Sequence, residues 1–258
     1  MVNLILEPIA SAEAVLSEEE KEAGVVLVDI GGGTTDIAIF QDNIIRHSAV
    51  IPFGGDIVTE DVKEGCTIIK KHAEELKVKF GSALASENRD DEVVAIPGLR
   101  GRPPKEITLK NLASIIQARM EENIEQVYFE IKNSGFEKKL IAGIVLTGGG
   151  SQLKHIDQLC EFTTGMATRI GYPNEHLAND VIDEMASPMY ATGVGLVIEG
   201  ILRFDIEKIR EDYGAEEEII DEKGKKRVKK KEKTDDTESG PARFLKSIKD
   251  WFESDATE

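Results

Sequence analysis

An α/β fold is predicted, and three observations carry that assignment. Two β-rich apolar runs each end in a glycine cluster: VVLVDI leads into GGGTTD at Gly31–Asp36, and IAGIVL leads into TGGGS at Thr147–Ser151. The first cluster continues into alternating apolar residues, the period of a strand, whereas the second is followed by Leu153, Ile156, Leu159 and Cys160 at helical spacing. Between the two clusters lie long segments of helical period. A chain of 258 residues is long enough for one or two domains around such a sheet.

From Val25 to Phe40 the chain reads strand, turn, strand. Asp29 is the one polar residue of the first run, Gly31, Gly32, Gly33, Thr34, Thr35 and Asp36 form the turn, and Ile37 and Ile39 alternate with Asp36 and Ala38. Glycines keep side chains away from backbone N–H groups, while flanking hydroxyls and carboxylates can hold phosphate oxygens, a metal ion or a water. A strand follows the glycines here, which separates this loop from the P-loop and the dinucleotide fingerprint, both of which enter a helix. A lone glycine turn would be read as a plain hairpin; Asp on both sides and the paired Thr favour a phosphate hairpin. Gln41-Asp42-Asn43 is the next turn, and Ile44-Ile45 starts a third strand.

Ile57 to Phe80 has helical spacing, with Glu74 and Lys77 three apart on one face, the arrangement of a surface ion pair. Asn88 to Ile107, punctuated by Pro97-Gly98 and Arg102-Pro103-Pro104, predicts short strands and loops. Leu109 to Ile131 predicts a long amphipathic helix carrying Arg119, which on the residues alone is a solvated charge. Ile141–Leu146 is a strand, and Gly148, Gly149 and Gly150 form a bare turn along which a flat ligand could lie. Ser151 is placed as the N-cap of the helix that follows. Alone, this turn could be an ordinary strand-to-helix connection. Two glycine turns in one chain, one suited to phosphates and one to a nucleoside, point to a nucleotide.

Composition bounds the function class. The net charge is −17, yet Lys223–Lys233 holds eight basic residues against one Glu, leaving 24 basic and 48 acidic residues elsewhere. So acidic a body argues against nucleic-acid binding. The basic run reads as a solvated linker and, from its position, as an attraction to anionic lipid headgroups. It precedes PARFLKSIKDWF at Pro241–Phe252, where Phe244, Leu245, Ile248, Trp251 and Phe252 share one apolar helical face. A helix of about a dozen residues spans ~18 Å, short of the ~30 Å hydrocarbon core, so it can lie in a membrane interface but not cross it. One such anchor binds reversibly, and several on one filament bind far more firmly. Glu207–Gly240 is a polar, low-complexity tether. There is no run of eighteen apolar residues and no secretory leader pattern, so a cytoplasmic chain is expected. Cys66 and Cys160 are isolated and the four histidines scattered, which predicts neither disulfide nor His/Cys metal site.

These motifs carry a family resemblance. DIGGGTTDIAIF resembles the second phosphate motif of the actin, heat-shock chaperone and sugar-kinase superfamily, and GIVLTGGGSQLKHI its adenosine motif. SPMYATGVGLVIEG at Ser187–Gly200 resembles the second connecting helix, whose small residues allow tight packing against its counterpart. Four further segments are similar to the FtsA family of bacterial cell-division proteins: EPIASAEAVL at Glu7–Leu16, AEELKVKFGSA at Ala73–Ala83, GRPPKEITLKNLASIIQARMEE at Gly101–Glu122, and the C-terminal tail. The resemblance implies an actin-like (ribonuclease H-like) second lobe, with a core of residues 1–51 and 137–205 and an inserted α+β subdomain at 52–136. A disordered charged linker at 206–240 and an amphipathic membrane-targeting helix at 241–253 are expected to follow.

By the same resemblance the cofactors are ATP and magnesium. Asp29 and Asp36 hold magnesium-bound water, Gly31–Thr35 contact phosphate, Glu74 and Lys77 reach ribose and adenine, and Gly148–Ser151 receive the adenosine. Arg119 faces the C-terminal tail of the tubulin-like protein FtsZ, and its guanidinium suits an acidic peptide. The implied function is to anchor FtsZ filaments to the cytoplasmic membrane at the division septum, with possible self-association. Because the resemblance covers the second half of the family's layout, the first lobe, with the carboxylate that positions attacking water, is expected to be missing. Negligible ATPase follows, with no catalytic residue. The alternatives are a superfamily phosphotransferase of the sugar-kinase type and an interaction module without nucleotide.

Overall fold

A computed structural model describes residues 4–98, 103–174, 183–213, 218–220 and 226–228. In chain order, helices α1 (Glu7–Val15) and α2 (Glu18–Ala23) precede strands β1 (Val25–Ile30), β2 (Thr35–Gln41) and β3 (Ile44–Ile51). Helices α3 (Gly55–Gly65) and α4 (Lys70–Phe80), strands β4 (Val93–Ile96) and β5 (Lys105–Thr108), and the long helix α5 (Leu109–Ser134) come next. Strand β6 (Ile144–Thr147), helix α6 (Ile156–Thr164), strand β7 (Thr168–Ile170) and helix α7 (Ala191–Tyr213) follow, and last the short strands β8 (Glu218–Ile220) and β9 (Lys226–Val228). Two units are distinguished, Met1–Leu202 and Arg203–Glu258.

The first unit is organised by a five-stranded sheet of order β3-β2-β1-β6-β7. The β1–β2 and β2–β3 pairs are antiparallel, and β1–β6 and β6–β7 parallel. Side chains of a strand alternate between faces, so each central strand feeds two cores. Val26, Val28, Ile30, Ile37, Ile39, Ile144 and Leu146 share one hydrophobic cluster with residues of α3, α4, α5 and α6. Val25, Leu27, Ala38, Phe40 and Val145 join α1 and the start of α7 in another. Every residue of β1 is buried, Asp29 included. The β2–β3 turn places Asp42 and Asn43 at φ of 55° and 58°, the left-handed pair of a type I′ hairpin that Asp and Asn tolerate.

Helix α7 lies directly on α1. A Cβ on Gly195 would stand 1.7 Å from the carbonyl oxygen of Ala10, so only hydrogen fits at this crossing, the tight contact that the small residues of Ser187–Gly200 predict. On α5, Leu112, Ile116, Met120, Ile124, Val127 and Ile131 form one buried stripe. Thr108 caps its N-terminus, accepting from the Asn111 N–H at 3.3 Å.

Several expectations from the sequence are corrected. The helical spacing of Ile57–Phe80 belongs to two helices: the chain turns at Cys66–Ile69, with Thr67 at φ 50°. Val58, Val62, Cys66, Ala73 and Leu76 all enter the same cluster and Ile68 packs against it, so the apolar spacing continues across the break. Ser151 is not a helix N-cap. It sits in a 3₁₀ turn, Gly149–Gln152, and its buried hydroxyl donates to the Gly148 carbonyl at 2.8 Å, while α6 starts at Ile156 after His155 at φ 62°. Helix α7 runs to Tyr213, beyond the apolar pattern that fades near Phe204, through residues rich in Glu, Lys and Arg that favour helix. Within the second unit, β8 and β9 pair antiparallel inside the segment read as linker. Phe244, Leu245, Ile248, Trp251 and Phe252 lie outside the described residues.

Candidate functional site

Both glycine turns emerge at the same end of the sheet. In register, Asp29 stands beside Asp36 on β2 and Thr147 on β6, so the chain leaves β1 and β6 side by side. The first loop is closed by Gly31 N–H donating to Thr34 O at 2.9 Å. The opening N–H groups of α3 hold its far side: Gly55 donates to Gly31 O at 2.9 Å and Asp56 to Gly32 O at 2.8 Å. Gly54 makes this possible, since a Cβ there would come within 2.4 Å of Gly31 O and 2.7 Å of Thr34 O.

A cavity of about 610 Å³ lies between these loops and α4. Of the residues named from the sequence, Asp29, Gly31, Gly32, Glu74, Lys77, Gly148, Gly149 and Gly150 line it. Gly33 and Thr34 are exposed beside it. Asp36 is half-buried and accepts from Thr34 Oγ1 at 3.0 Å. Thr35 and Ser151 are buried in the walls. Thr35 Oγ1 donates to Phe53 O at 2.9 Å and accepts from Asn123 Nδ2 at 3.0 Å, so it ties the loop to α5 and does not face a ligand.

Lys77 and Glu74 form a 2.8 Å ion pair with most of the lysine buried. Lys77 Nζ also donates to Gly55 O at 2.9 Å and Thr59 Oγ1 at 2.8 Å, and Thr59 donates to Glu74. Burial raises the Glu74 carboxyl, but hydrogen bonds from Lys77 and Thr59 outweigh it and hold the group below its ordinary range. α3 and α4 are therefore clamped together at the cavity's edge.

Glu7, at the start of α1, also lines the cavity, as do Asp56, Met120 and Thr192. Burial, then the charges of Asp36 and Asp29, push the Glu7 carboxyl up. Asp29 is raised chiefly by burial and further by Asp36, against a hydrogen bond from Ser11. Among the described residues no basic side chain pairs with Glu7, Asp29 or Asp36. Negative charge of this kind, beside bare glycine backbone, suits a divalent cation. No group of three or more His, Cys, Asp or Glu among the described residues has the spacing to ligate a metal. A magnesium ion carried by phosphates and met through its water shell fits such a donor set.

Arg119 lies elsewhere, over a separate hollow of about 250 Å³ between α3 and α5. It makes a forked pair with Asp61, Nε at 2.5 Å and Nη2 at 3.2 Å, and Nη1 is 2.5 Å from Glu122. The Asp61 hydrogen bonds raise the already high pKa of the guanidinium. Cys66 and Cys160 are buried free thiols, and burial pushes Cys160 up to about 11, which makes it unreactive.

Comparison with known proteins places this architecture. The family model for cell division protein FtsA matches residues 26–195, both glycine loops and everything between them. The chain belongs to the FtsA family. It is 43% identical to FtsA of Pseudomonas aeruginosa over 199 residues, which is 77% of this chain and 47% of that protein. It is 37% identical to FtsA of Escherichia coli K12 over 204 residues (76% and 48%), and 34% identical to that of Bacillus subtilis over 197 residues (76% and 43%). The chain thus spans about half the length of the FtsA relatives it matches. Among solved structures it is similar to MreB 5 of Spiroplasma citri bound to AMPPNP, with a TM-score of 0.63 at 22% identity over 78% of this chain and 60% of that one. It is also similar to a PilM–PilN type IV pilus biogenesis complex chain, TM-score 0.57 at 19% identity over 78% and 53%. The fold is actin-like, a mixed α/β sheet covered by helices on both faces.

Three features of this FtsA-family site were not assigned from the sequence. Glu7 stands in the sequence only as part of EPIASAEAVL, since locally an acidic residue before Pro8 is a helix N-terminal signal. Gly54–Asp56 follow a strand with no motif of their own, although the Gly-Gly pair was the available signal. Ser11 and Thr192 reach Asp29 from helices far apart in sequence, which no local pattern marks.

Proposed function

We propose that this FtsA-family chain serves bacterial cell division by binding an adenine nucleotide with magnesium in the Asp29–Lys77 cavity and by linking FtsZ filaments to the cytoplasmic face of the membrane at the division site. The convergence of both glycine loops with Glu74 and Lys77 on one cavity supports the nucleotide reading most strongly. In this reading Gly31 and Gly32 meet phosphate, Gly148–Gly150 offer bare backbone to the nucleoside, and Glu74 and Lys77 stand at the ribose and adenine. Magnesium would neutralise phosphate charge beside Asp29 and Asp36.

Turnover by this chain is proposed to be negligible. Besides the metal ion, phosphoryl transfer draws on basic side chains aimed at the developing charge. Among the described residues the one basic side chain on the cavity wall, Lys77, is already engaged by Glu74, Gly55 O and Thr59. Rapid phosphate release from ATP, abolished by Asp36→Ala or Glu7→Gln, would contradict this.

The FtsZ tail is assigned to the Arg119 hollow and the membrane to residues 241–253. No helix among the described residues is long and apolar enough to cross a membrane. Fluorescence anisotropy with an FtsZ C-terminal peptide and flotation with anionic liposomes test the two contacts. Arg119→Ala should abolish the first, and paired Phe244→Ala and Trp251→Ala changes the second. Flotation as firm for an isolated tail as for assembled protein would remove the link between self-association and anchoring.

A further inference from the structure

Two hydroxyls beneath the cavity have a geometry that a packing role alone does not call for. Ser11, on α1, has no exposed surface and donates to Asp29 Oδ2 at 2.8 Å. Thr192, on α7, places Oγ1 at 2.9 Å from Ser11 Oγ and 3.4 Å from Asp29 Oδ2. A serine has one proton to give. Since Ser11 gives its proton to the carboxylate, the 2.9 Å contact is Thr192 donating to Ser11. The order is therefore Thr192 to Ser11 to Asp29.

The Ser11 hydrogen bond and the longer 3.4 Å approach of Thr192 both fall on Oδ2. The other oxygen, Oδ1, lies against the second glycine loop, where a Cβ on Gly148 would come within 2.3 Å of it, and it takes no hydrogen bond from a described residue. The terminal torsion of an aspartate is broad and roughly two-fold, so an unpinned carboxylate would sample many orientations. With Oδ2 held from below by the Ser11 hydroxyl, which Thr192 in turn holds, Oδ1 is left as the oxygen on the Gly148 side, where the cavity opens.

We infer that Ser11 and Thr192 are positioning residues for the cation that accompanies the nucleotide: they fix the Asp29 carboxylate so that Oδ1 can accept a hydrogen bond from a water of the ion's hydration shell. The inference rests on reading the cavity as a nucleotide site. Magnesium demands near-ideal octahedral geometry and keeps several waters, so a carboxylate that meets those waters gains from being held still. Loss of the partner of a directly bound ligand typically costs about 10–100-fold in metal affinity, and with a water between carboxylate and ion the low end of that range is the ceiling.

The test is calorimetric titration of the full chain with ADP, once with magnesium and once with EDTA, for wild type, Ser11→Ala, Thr192→Val and Thr192→Ser, with thermal melts to establish folding. The quantity read is the ratio of the two affinities. Ser11→Ala should cut that ratio several-fold, up to about tenfold, Thr192→Val by less because it acts through Ser11, and Thr192→Ser should restore it. Electron paramagnetic resonance of manganese, titrated in the presence of ADP, should show the same order. If wild type gains affinity from magnesium and folded Ser11→Ala and Thr192→Val keep that gain in full, the positioning role is overturned while the nucleotide site stands. If wild type binds no ADP in either buffer, the nucleotide reading falls and the positioning role with it.

Discussion

Replacing Gly195 by alanine should destabilise the protein, although glycine-to-alanine changes within helices ordinarily do the opposite. In a helix interior alanine is favoured over glycine by roughly 0.5–1 kcal/mol. At Gly195 the new methyl would stand 1.7 Å from Ala10 O and 2.4 Å from Ala10 C, both backbone atoms of α1, so no flexible side chain can yield. Overpacking of this kind typically costs about 1–3 kcal/mol, and an overlap this deep belongs at the upper end. The net expectation is a loss of about 2–2.5 kcal/mol, which for a folded body of this size lowers Tm by roughly 4–10 °C. Gly200, five residues further along α7, is exposed, and a Cβ there meets nothing within 4 Å. Gly200→Ala should therefore gain the helix term and raise Tm slightly. Melts of both variants followed by far-ultraviolet circular dichroism decide the matter. If Gly195→Ala were stabilised as much as Gly200→Ala, the close α1–α7 crossing would be wrong, and with it the route by which Thr192 reaches Asp29.

Two further outcomes follow from charge. A carboxyl whose pKa is raised on folding binds its proton more tightly in the native state, so its contribution to stability is present at low pH and lost as pH rises from the ordinary aspartate value near 3.8 through the raised one. Asp29→Asn should remove that loss, making the protein more stable at neutral pH and flattening its stability between pH 4 and neutrality, while weakening nucleotide binding; urea titrations across pH measure the first and calorimetry the second. At the other hollow, Arg119 is already engaged by Asp61 and Glu122, so an acidic peptide must compete with them. Asp61→Asn should tighten FtsZ-peptide binding several-fold, the scale of a part-exposed ion pair worth up to about 1 kcal/mol, whereas unchanged or weaker binding would show that Asp61 does not restrain the arginine.

The sheet and its two loops were legible because each rests on a local signal. The period-2 run of Val25–Phe40, the Asp42-Asn43 turn and the buried run before Gly148 state their conformation in consecutive residues. The break between α3 and α4 was not legible, because residues on both sides face one core and keep helical spacing through Cys66 and Ile68. Ser151 looked like an N-cap because serine after glycines and before an apolar pattern commonly is one; here a 3₁₀ turn intervenes and delays the helix by four residues. The site divides the same way. Its glycines and Asp29 announce themselves, whereas Glu7, Ser11, Asp56 and Thr192 matter only because α1, α3 and α7 bring them to the end of β1. The pairing of Arg119 with Asp61 was hidden for a related reason: the partners lie on α5 and α3, well separated in the chain.

Hydrogen–deuterium exchange of the full chain, with and without ATP and magnesium, addresses the central claim most directly, since it reports where a ligand sits as well as whether it binds. The account predicts slowed exchange in residues 29–36, 54–59 and 147–152, with little change in β4 and β5. Slowed exchange confined to other segments, or none while an FtsZ peptide still protects the Arg119 region, would contradict it and leave an interaction module without nucleotide.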